Sequence, residues 1–298
     1  MEKFSLKGIG VALVTPFRED GNIDFNALAT IVNHIKNGNA DYIVVLGTTG
    51  ETPTLSNKEA DTVTKFVRET VNGEIPLVLG LGGNNTAEIL NRIQTTDLSG
   101  FSALLSVVPY YNKPNQEGLY QHYKTLSTHS PLPLIIYNVP GRTGANILPS
   151  TIIRLAKECP NIIGVKEASG SVTAVSDIVA DKPDGFDVVS GDDALTLPMM
   201  AVGASGVISV VGNAFPNEFA SLVHSAASGD FATARKLHKR FNTLYKLMFA
   251  EGNPAGIKCA LNCLGLAHNI LRLPLVPVGA ICRSQIQEAV KTFQDSNE

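Results

Sequence analysis

The amino-acid sequence predicts an α/β fold, a (β/α)8 barrel of parallel strands with appended C-terminal helices. Eight short apolar runs, rich in valine, isoleucine and leucine, alternate with amphipathic stretches along the chain. Near-continuous apolar runs of this length are typical of strands that are buried on both faces of a parallel sheet. The runs are Gly8–Val14, Tyr42–Leu46, Pro76–Gly80, Ala103–Val107, Leu134–Tyr137, Ile162–Val165, Phe186–Val189 and Gly206–Val210.

The stretches between the runs carry helix signals. Ser56 and Glu59 form a capping-box pattern in front of one stretch, and Asp24 precedes another in which apolar residues recur at helical spacing. Eight strands separated by helices favour a closed barrel. A doubly wound open sheet has the same local pattern but usually fewer strands, and it is the alternative fold.

The alternation of apolar runs and amphipathic stretches ends after Val210, and four helical stretches follow. They are Phe215–Ser228, Phe231–Glu251, Pro254–Leu266 and Ser284–Gln294. We expect the first of them to close the barrel. Residues 1–228 would then form the catalytic barrel, and residues 229–298 would form a C-terminal helical region.

The composition excludes several classes of function. The chain is 44% hydrophobic and 17% charged, as in a well-buried globule, and its net charge of -3 offers no basic surface for nucleic acid. No apolar stretch approaches the ~18–20 residues of a membrane span, and no signal-peptide pattern occurs, so we expect a cytoplasmic protein. Cys159, Cys259, Cys263 and Cys282 lack a CxxC motif or a nearby histidine, which predicts reduced structural thiols.

Polar residues gather at the predicted carboxyl ends of the strands, where catalytic groups lie in barrels of this kind. The stretches are Thr15, Gly47–Glu51, Pro109–Asn112, Tyr137–Arg142, Lys166–Glu167 and Gly191–Asp193. Because the runs just upstream are almost wholly apolar, this convergence indicates a functional site at that end.

Lys166 directly follows the apolar end of a predicted strand. Burial there disfavours the charged ammonium form. A neutral amine is the nucleophile toward a ketone that Schiff-base catalysis requires. The alternative is a lysine whose head reaches the rim and pairs with Glu167.

Three neighbouring features suit imine chemistry on a small keto acid. The phenol of Tyr137 can move protons beside an amine, although a tyrosine of the core is the alternative. The glycines and hydroxyls of Gly47–Gly50 can hold a carboxylate, although an ordinary turn carries the same residue types. Arg142 offers a planar fork for a second carboxylate, or else a surface salt bridge.

Other motifs argue against a bound metal or cofactor. Gly80–Asn85 lacks the third glycine of a dinucleotide-binding loop. Asp192 and Asp193, without further ligands, are more typical of a helix cap than of a metal site. We therefore expect a mechanism without metal or cofactor, in which the amine of Lys166 forms a covalent imine.

Together these residues closely resemble the dihydrodipicolinate synthase and N-acetylneuraminate lyase superfamily of class I aldolases. The resemblance covers essentially the whole chain, and a series of short motifs in the same order carries it. The motifs are Val14–Pro16, Gly47–Glu51, Pro109–Pro114, Tyr137–Thr143, Gly164–Gly170, Ser190–Asp193 and Gly206–Ser209.

The resemblance implies a pyruvate imine on Lys166, with the pyruvate carboxylate held near Thr48 and Thr49. It further implies that Tyr137, Thr48 and Tyr111 relay protons. Tyr111 would reach in from a neighbouring subunit of a homotetramer. Loss of a proton from the imine would give an enamine, which attacks an aldehyde to form the new C–C bond.

The motif around Arg142 resembles the synthase branch, in which this arginine meets the carboxylate of L-aspartate 4-semialdehyde. The implied reaction condenses pyruvate with that aldehyde to 4-hydroxy-tetrahydrodipicolinate, the first committed step of diaminopimelate and lysine biosynthesis. The resemblance also implies that Gly191 and Ile208 bind substrate. The alternatives are cleavage of N-acetylneuraminate or a keto-deoxy sugar acid by the same amine, and a noncatalytic ligand-sensing barrel.

The resemblance also implies an allosteric site for lysine. Positions matching that site are Asn84, Glu88 and Tyr110, whose side chains suit the ligand. Two positions that are often histidine in lysine-inhibited relatives are Asn57 and Ala60 in this chain. The sequence therefore matches the lysine site at three positions and departs from the inhibited relatives at two.

Overall fold

Eight parallel strands form a closed barrel at the centre of the molecule, in a computed structural model that describes residues 4–295. The strands are β1 (Gly8–Ala12), β2 (Tyr42–Val45), β3 (Leu77–Gly80), β4 (Ala103–Val107), β5 (Leu134–Asn138), β6 (Ile162–Glu167), β7 (Asp187–Ser190) and β8 (Gly206–Ser209). They follow one another around the barrel in chain order, and β8 pairs with β1. The predicted barrel is confirmed, and the alternative of an open sheet is wrong.

Helices lie between the strands and continue after the last of them. They are α1 (Phe25–Asn37), α2 (Asn57–Val71), α3 (Thr86–Thr95), α4 (Gln116–His129), α5 (Pro140–Thr143), α6 (Pro149–Glu158), α7 (Val172–Asp181), α8 (Thr196–Ala201), α9 (Pro216–Ala227), α10 (Phe231–Phe249), α11 (Ala255–Cys263) and α12 (Ala280–Asp295). The four helical stretches expected after the last strand correspond to α9, α10, α11 and α12.

Local capping explains where several of these helices begin and end. Ser56 and Glu59 form the predicted capping box at the start of α2, and Asp24 caps α1 by accepting hydrogen bonds from two backbone N–H groups. The helix α11 ends earlier than the sequence predicts. Gly265, just after it, adopts a left-handed backbone conformation (φ +71°), and such a residue terminates a helix.

Apolar side chains fill the barrel at the amino ends of its strands. Tyr42, the first residue of β2, lies across β1 where Gly10 leaves room for it; a Cβ on Gly10 would be 2.0 Å from a ring atom of Tyr42. The ring of Phe4 packs edge-on against Tyr42, with 5.6 Å between the centroids. Leu6 is fully buried beside them. Because this end is filled, open space inside the barrel lies toward the carboxyl ends of the strands.

A second apolar cluster lies between the barrel and its helices and continues into the C-terminal helices. Phe215 and Phe219 pack against Phe241 of α10, and the rings of Phe215 and Phe293 of α12 are 4.5 Å apart. The helix α9 packs against β1, as expected of the helix that closes the barrel. The division at residue 228 stays a prediction, and this cluster contains residues from both sides of it.

The described residues also bear on membrane spans, metals and cysteines. No helix between residues 4 and 295 combines the length and the hydropathy needed to cross a membrane. In the same range, no three histidine, cysteine or acidic side chains gather as a metal site would require. The four cysteines are free thiols, as predicted, and burial raises the pKa of Cys259 to about 12.

A buried ion pair joins the C-terminal helices to the loop that follows β2. The carboxylate of Glu51 contacts the ammonium group of Lys258 on α11, and both side chains are almost fully buried. Lys258 also donates to the carbonyl of Ile270 (2.9 Å), and the backbone N–H of Arg272 donates to Glu51 (3.1 Å). The cationic groups of Lys258 and Arg272 both lie over the ring of Phe17, 4.1 and 4.5 Å from its centroid. Burial lowers the pKa of Lys258 to about 8, and the Glu51 carboxylate opposes that change.

We expect the substitution Lys258→Met to lower the free energy of unfolding by about 3–5 kcal/mol, because it leaves the carboxylate of Glu51 buried without its partner. Urea denaturation followed by circular dichroism measures this loss. The double variant Glu51→Gln/Lys258→Met should recover most of it, since both charges are then removed. A loss below about 1 kcal/mol in the single variant would contradict the pairing.

Candidate active site

A cavity of about 420 Å³ opens at the carboxyl ends of the strands. Lys166, Tyr137, Thr48 and Arg142 all line it, and apolar strand residues such as Leu105 supply part of its wall. The structure therefore brings together four side chains that the sequence places in separate segments. A mostly apolar cavity with a few convergent polar groups is the usual form of a small-molecule site.

Lys166 and Tyr137 are neighbours on adjacent strands. They are paired in register between β6 and β5, and Nζ of Lys166 lies 4.4 Å from the centroid of the Tyr137 ring. Both are buried, with 6% and 8% of their surface exposed. The amine therefore lies inside the barrel against the phenol ring, and not at the rim as the alternative interpretation requires.

Glu167 does not pair with Lys166, because successive side chains of a strand point to opposite faces. Its carboxylate accepts hydrogen bonds from the side-chain amide of Asn138 (2.9 Å) and from the backbone N–H of Ser169 (2.7 Å). Burial raises the pKa of Glu167, and these two donors stabilise its charged form. Since Asn138 follows Tyr137, the contact ties β5 to β6 at the level of Lys166.

Gly191 and Ile208 lie beside the barrel interior. Neither is among the described residues that line the cavity. Gly191 packs on the aliphatic part of Lys166; a Cβ there would be 3.0 Å from Cε of Lys166 and 2.7 Å from Cβ of Ala168. Ile208 on β8 is 1% exposed and belongs to the apolar cluster inside the barrel, together with Tyr137. Gly191 thus leaves space for the lysine, and the predicted substrate contacts of both residues stay predictions.

The loop after β2 forms a 3₁₀ turn that presents Thr48 to the cavity and buries Thr49. The hydroxyl of Thr15 donates to the carbonyl of Gly50 (2.7 Å), and the side-chain amide of Asn253 donates to the hydroxyl of Thr49 (3.1 Å). Two distant segments therefore hold the turn. Sequence reasoning missed Asn253, because its local sequence resembles that of any residue just before a helix.

Arg142 lies on the short helix α5 at the mouth of the cavity. Its guanidinium donates a long hydrogen bond, 3.5 Å, to the backbone carbonyl of Asn253. The side chain lines the cavity. None of the ion pairs found among residues 4–295 includes Arg142, so the alternative of a surface salt bridge is not observed. Its planar donors are therefore available to an anionic ligand.

Tyr110 and Tyr111 follow β4 and differ in what they contact. Tyr110 lines the cavity, whereas Tyr111 is 88% exposed and does not line the cavity of its own chain. The backbone of Tyr111 is left-handed (φ +75°), which is uncommon for a bulky residue, and its N–H donates to the carbonyl of Thr143 (3.3 Å). The predicted reach of Tyr111 into a neighbouring subunit stays a prediction.

Two of the three residues predicted to bind lysine, Asn84 and Tyr110, lie beside this cavity. The side-chain amide of Asn84 donates to the carbonyl of Tyr110 (3.3 Å), and Glu88 lies in the first turn of α3. Arg92 on the same helix also lines the cavity. The structure thus brings Asn84 and Tyr110 together, and it adds Arg92, which sequence reasoning missed because a single arginine on an amphipathic helix usually faces solvent.

Asp193 is a buried carboxylate that connects two loops at the carboxyl end of the barrel. It follows β7, is 1% exposed, and accepts hydrogen bonds from the backbone N–H groups of Val210 (3.0 Å) and Val211 (2.8 Å) after β8. Burial raises its pKa to about 6 against the effect of these donors. Its neighbour Asp192 caps the next turn by accepting from Ala194 N–H (2.9 Å), as the sequence predicts.

A lysine amine held inside a barrel beside a phenol is an arrangement suited to aldolase-type lyases, which activate a ketone as an imine. Comparison with known proteins agrees with this class. The chain belongs to the dihydrodipicolinate synthetase family, whose model matches residues 5–293. The predicted family and the predicted enzyme class, an aldolase-type lyase, are confirmed.

Similar proteins carry names from the same family. A protein of Parabacteroides distasonis named 4-hydroxy-tetrahydrodipicolinate synthase is 50% identical over 98% of this chain and 98% of its own length. A crystal structure of dihydrodipicolinate synthase from Aquifex aeolicus has a TM-score of 0.93 and 41% identity, and the match covers 97% of this chain and 98% of that one. The dihydrodipicolinate synthase from Acinetobacter baumannii, solved in complex with pyruvate, has a TM-score of 0.94 and 39% identity, with 97% and 99% covered. These names agree with the synthase branch of the superfamily rather than the sugar-acid lyase branch.

We expect the stability contributed by Asp193 to fall as pH rises. Because its folded-state pKa of about 6 lies above the ordinary value of 3.8, the contribution is fully present below about pH 4 and is lost as pH passes 6. The substitution Asp193→Asn removes this titration. Between pH 4.5 and pH 7 the parent protein should lose about 2 kcal/mol of unfolding free energy relative to the variant, measured by urea denaturation at both pH values. Equal pH dependence in the two proteins would contradict a buried, titrating Asp193.

Proposed function

We propose that this cavity is the site where pyruvate forms an imine with Lys166 and condenses with L-aspartate 4-semialdehyde to 4-hydroxy-tetrahydrodipicolinate. The observation that carries the proposal is the buried amine of Lys166 against the ring of Tyr137, 4.4 Å from its centroid, in a chain of this family. A noncatalytic sensing barrel does not require a buried amine at this position. A cavity of about 420 Å³ accommodates two small acids at once.

The first step joins pyruvate to the enzyme. The amine of Lys166 attacks the keto carbon of pyruvate and gives a carbinolamine, and loss of water from it leaves the imine. This step needs a proton delivered to the departing oxygen. Tyr137 is the proposed donor, because its ring lies directly against the amine and its strand is paired in register with that of Lys166.

The second step forms the carbon–carbon bond. A proton leaves the methyl carbon of the imine, and the electron pair of that C–H bond moves into an enamine. The enamine carbon then attacks the aldehyde carbon of the second substrate, whose oxygen takes up a proton. We assign the relay of these protons to Tyr137, Thr48 and Tyr111, the last from a neighbouring subunit of a homotetramer.

The two carboxylates of the substrates have separate proposed partners. The turn at Thr48 and Thr49 offers hydroxyl and backbone donors beside the cavity, and it suits the carboxylate of pyruvate. Arg142 at the cavity mouth suits the carboxylate of the aldehyde substrate, since a guanidinium binds a carboxylate through two parallel hydrogen bonds. This placement leaves the aldehyde carbon free to approach the enamine between the two anchors.

Binding of lysine and the location of the protein are further parts of the proposal. Asn84 and Tyr110 are joined by a hydrogen bond beside the cavity, which supports a lysine site there. Of the two departures noted in the sequence, Asn57 begins α2 at the surface and Ala60 is buried in the core, so Ala60 offers a ligand no polar group. The cytoplasmic location and the absence of a metal or cofactor stay predictions.

Lys166→Ala should abolish the covalent adduct that borohydride traps from pyruvate, because no amine then remains in the cavity to form the imine. Intact-mass measurement of the trapped protein tests this directly. Turnover should fall by far more than tenfold; a kcat within about tenfold of the parent, or ~1.4 kcal/mol in barrier height, would contradict the assignment. Lys157→Ala, an exposed lysine on α6, is the matched control and should keep both adduct and turnover.

The parent enzyme should consume pyruvate and L-aspartate 4-semialdehyde together and should leave N-acetylneuraminate uncleaved. Arg142→Ala should raise the KM for the aldehyde by about 10–100-fold while the pyruvate adduct still forms, since only the second carboxylate loses a charged partner. The KM of Arg142→Lys for the aldehyde should lie between those of the parent and of Arg142→Ala, because lysine keeps the charge and lacks the planar guanidinium. Loss of the pyruvate adduct together with aldehyde use would instead indicate a structural role for Arg142.

A further inference from the structure

Asn253 contacts both of the proposed carboxylate-binding groups from outside the barrel. It lies between α10 and α11 and is 7% exposed. Its side-chain amide donates to the hydroxyl of Thr49 (3.1 Å), and its backbone carbonyl accepts from the guanidinium of Arg142 (3.5 Å). One C-terminal residue thus touches the group proposed for pyruvate and the group proposed for the aldehyde.

The direction of the contact with Thr49 has a chemical consequence. An amide N–H can only donate, so the hydroxyl oxygen of Thr49 accepts from Asn253. The single proton of that hydroxyl then points away from Asn253 and remains available for another acceptor. A carboxylate is acceptor-only, and it binds best where donors already point at it.

The segment that carries Asn253 is firmly attached to the same turn. Lys258 on α11 pairs with the buried carboxylate of Glu51, two positions after Thr49 in the sequence, and also donates to the carbonyl of Ile270 (2.9 Å). The turn and the start of α11 are therefore joined at two points, one at Thr49 and one at Glu51. A contact held by a buried ion pair keeps its geometry, which a positioning function requires.

We propose that Asn253 is a positioning residue for pyruvate: its amide holds the hydroxyl of Thr49 so that the hydroxyl proton is directed to the pyruvate carboxylate. The inference rests on the proposed function, since it concerns the same carboxylate. The contact to Arg142 is made by a backbone carbonyl and is unchanged by substitution of the side chain. Loss of the side chain therefore affects the pyruvate subsite and spares the aldehyde subsite.

The test is a double-mutant cycle between Asn253 and Thr49 in the full-length protein, with pyruvate and aldehyde varied in turn. Asn253→Ala and Thr49→Val should each raise the KM for pyruvate by about tenfold, with the KM for the aldehyde changed less than about threefold. The double variant should also show about a tenfold rise, because the two residues act through one hydroxyl. A rise of about a hundredfold in the double variant, or less than about threefold in Asn253→Ala, would overturn the proposal.

Asn253→Asp separates orientation of the proton from packing. The carboxylate has the same shape as the amide but only accepts, so it takes the proton of Thr49 and adds a negative charge near the pyruvate carboxylate. It should therefore raise the KM for pyruvate more than Asn253→Ala does; an equal or smaller rise contradicts a donor at position 253. If Asn253→Ala does not fold, as judged by its thermal unfolding, Asn253→Ser completes the same cycle.

Borohydride trapping of pyruvate on the parent enzyme keeps this proposal distinct from the proposed function. Absence of an adduct on the parent would overturn both. An adduct on the parent and on every variant, with pyruvate KM values that do not differ, would leave the imine mechanism standing and overturn only the assignment of Asn253.

Discussion

Every strand of the barrel is buried on both faces, and this constraint decides where polar chemistry can occur. The interior is packed with apolar side chains around Tyr42 at the amino ends, and the exterior packs against helices. An isolated charge inside such a strand is costly, and the charged residues of the strands, Asp187, Lys166 and Glu167, all lie near a strand end. Lys166 and Tyr137 lie near the carboxyl ends of their strands, and each is the residue before the last one.

Three of the buried carboxylates each connect two segments of the chain. Glu167 joins β6 to β5 through Asn138, and Asp193 joins the loop after β7 to the loop after β8. Glu51 joins the loop after β2 to α11 through Lys258. A buried carboxylate without such partners would cost several kcal/mol, so each of these contacts holds its two segments in one arrangement. The three carboxylates therefore fix the loops around the cavity relative to one another.

The C-terminal helices contribute to the site as well as to the core. Their aromatic side chains continue the apolar cluster outside the barrel, and the segment from Asn253 to Lys258 contacts the turn that holds Thr48 and Thr49. The cavity is thus formed by barrel residues, but the orientation of its polar groups depends on a segment beyond the eight strands. The turn at Thr49 and the guanidinium of Arg142 are both held by Asn253, the first through its side chain and the second through its backbone carbonyl.

The sequence by itself determined the barrel, most element positions and the four side chains that share the cavity. A strand that is buried on both faces has a nearly continuous apolar sequence. A lysine or tyrosine at the end of such a run is therefore easy to recognise. The ends of helices were less well determined, since a residue such as Gly265 acts through its backbone conformation. Resemblance to a family supplied the substrates, which no local pattern specifies.

Only the tertiary structure decided which residues support that site. Asn253 and Thr49 are 204 positions apart in the sequence, and Arg272 and Glu51 are 221 apart. A hydrogen bond between single residues so distant produces no periodicity, since it depends on how whole helices pack. The exposure of Tyr111, which is 88% accessible and does not line the cavity of its own chain, is likewise decided by the tertiary structure. Local physical chemistry therefore determined the strands and the place of Lys166 at the end of one of them, and packing between distant segments decided how the neighbouring side chains are held.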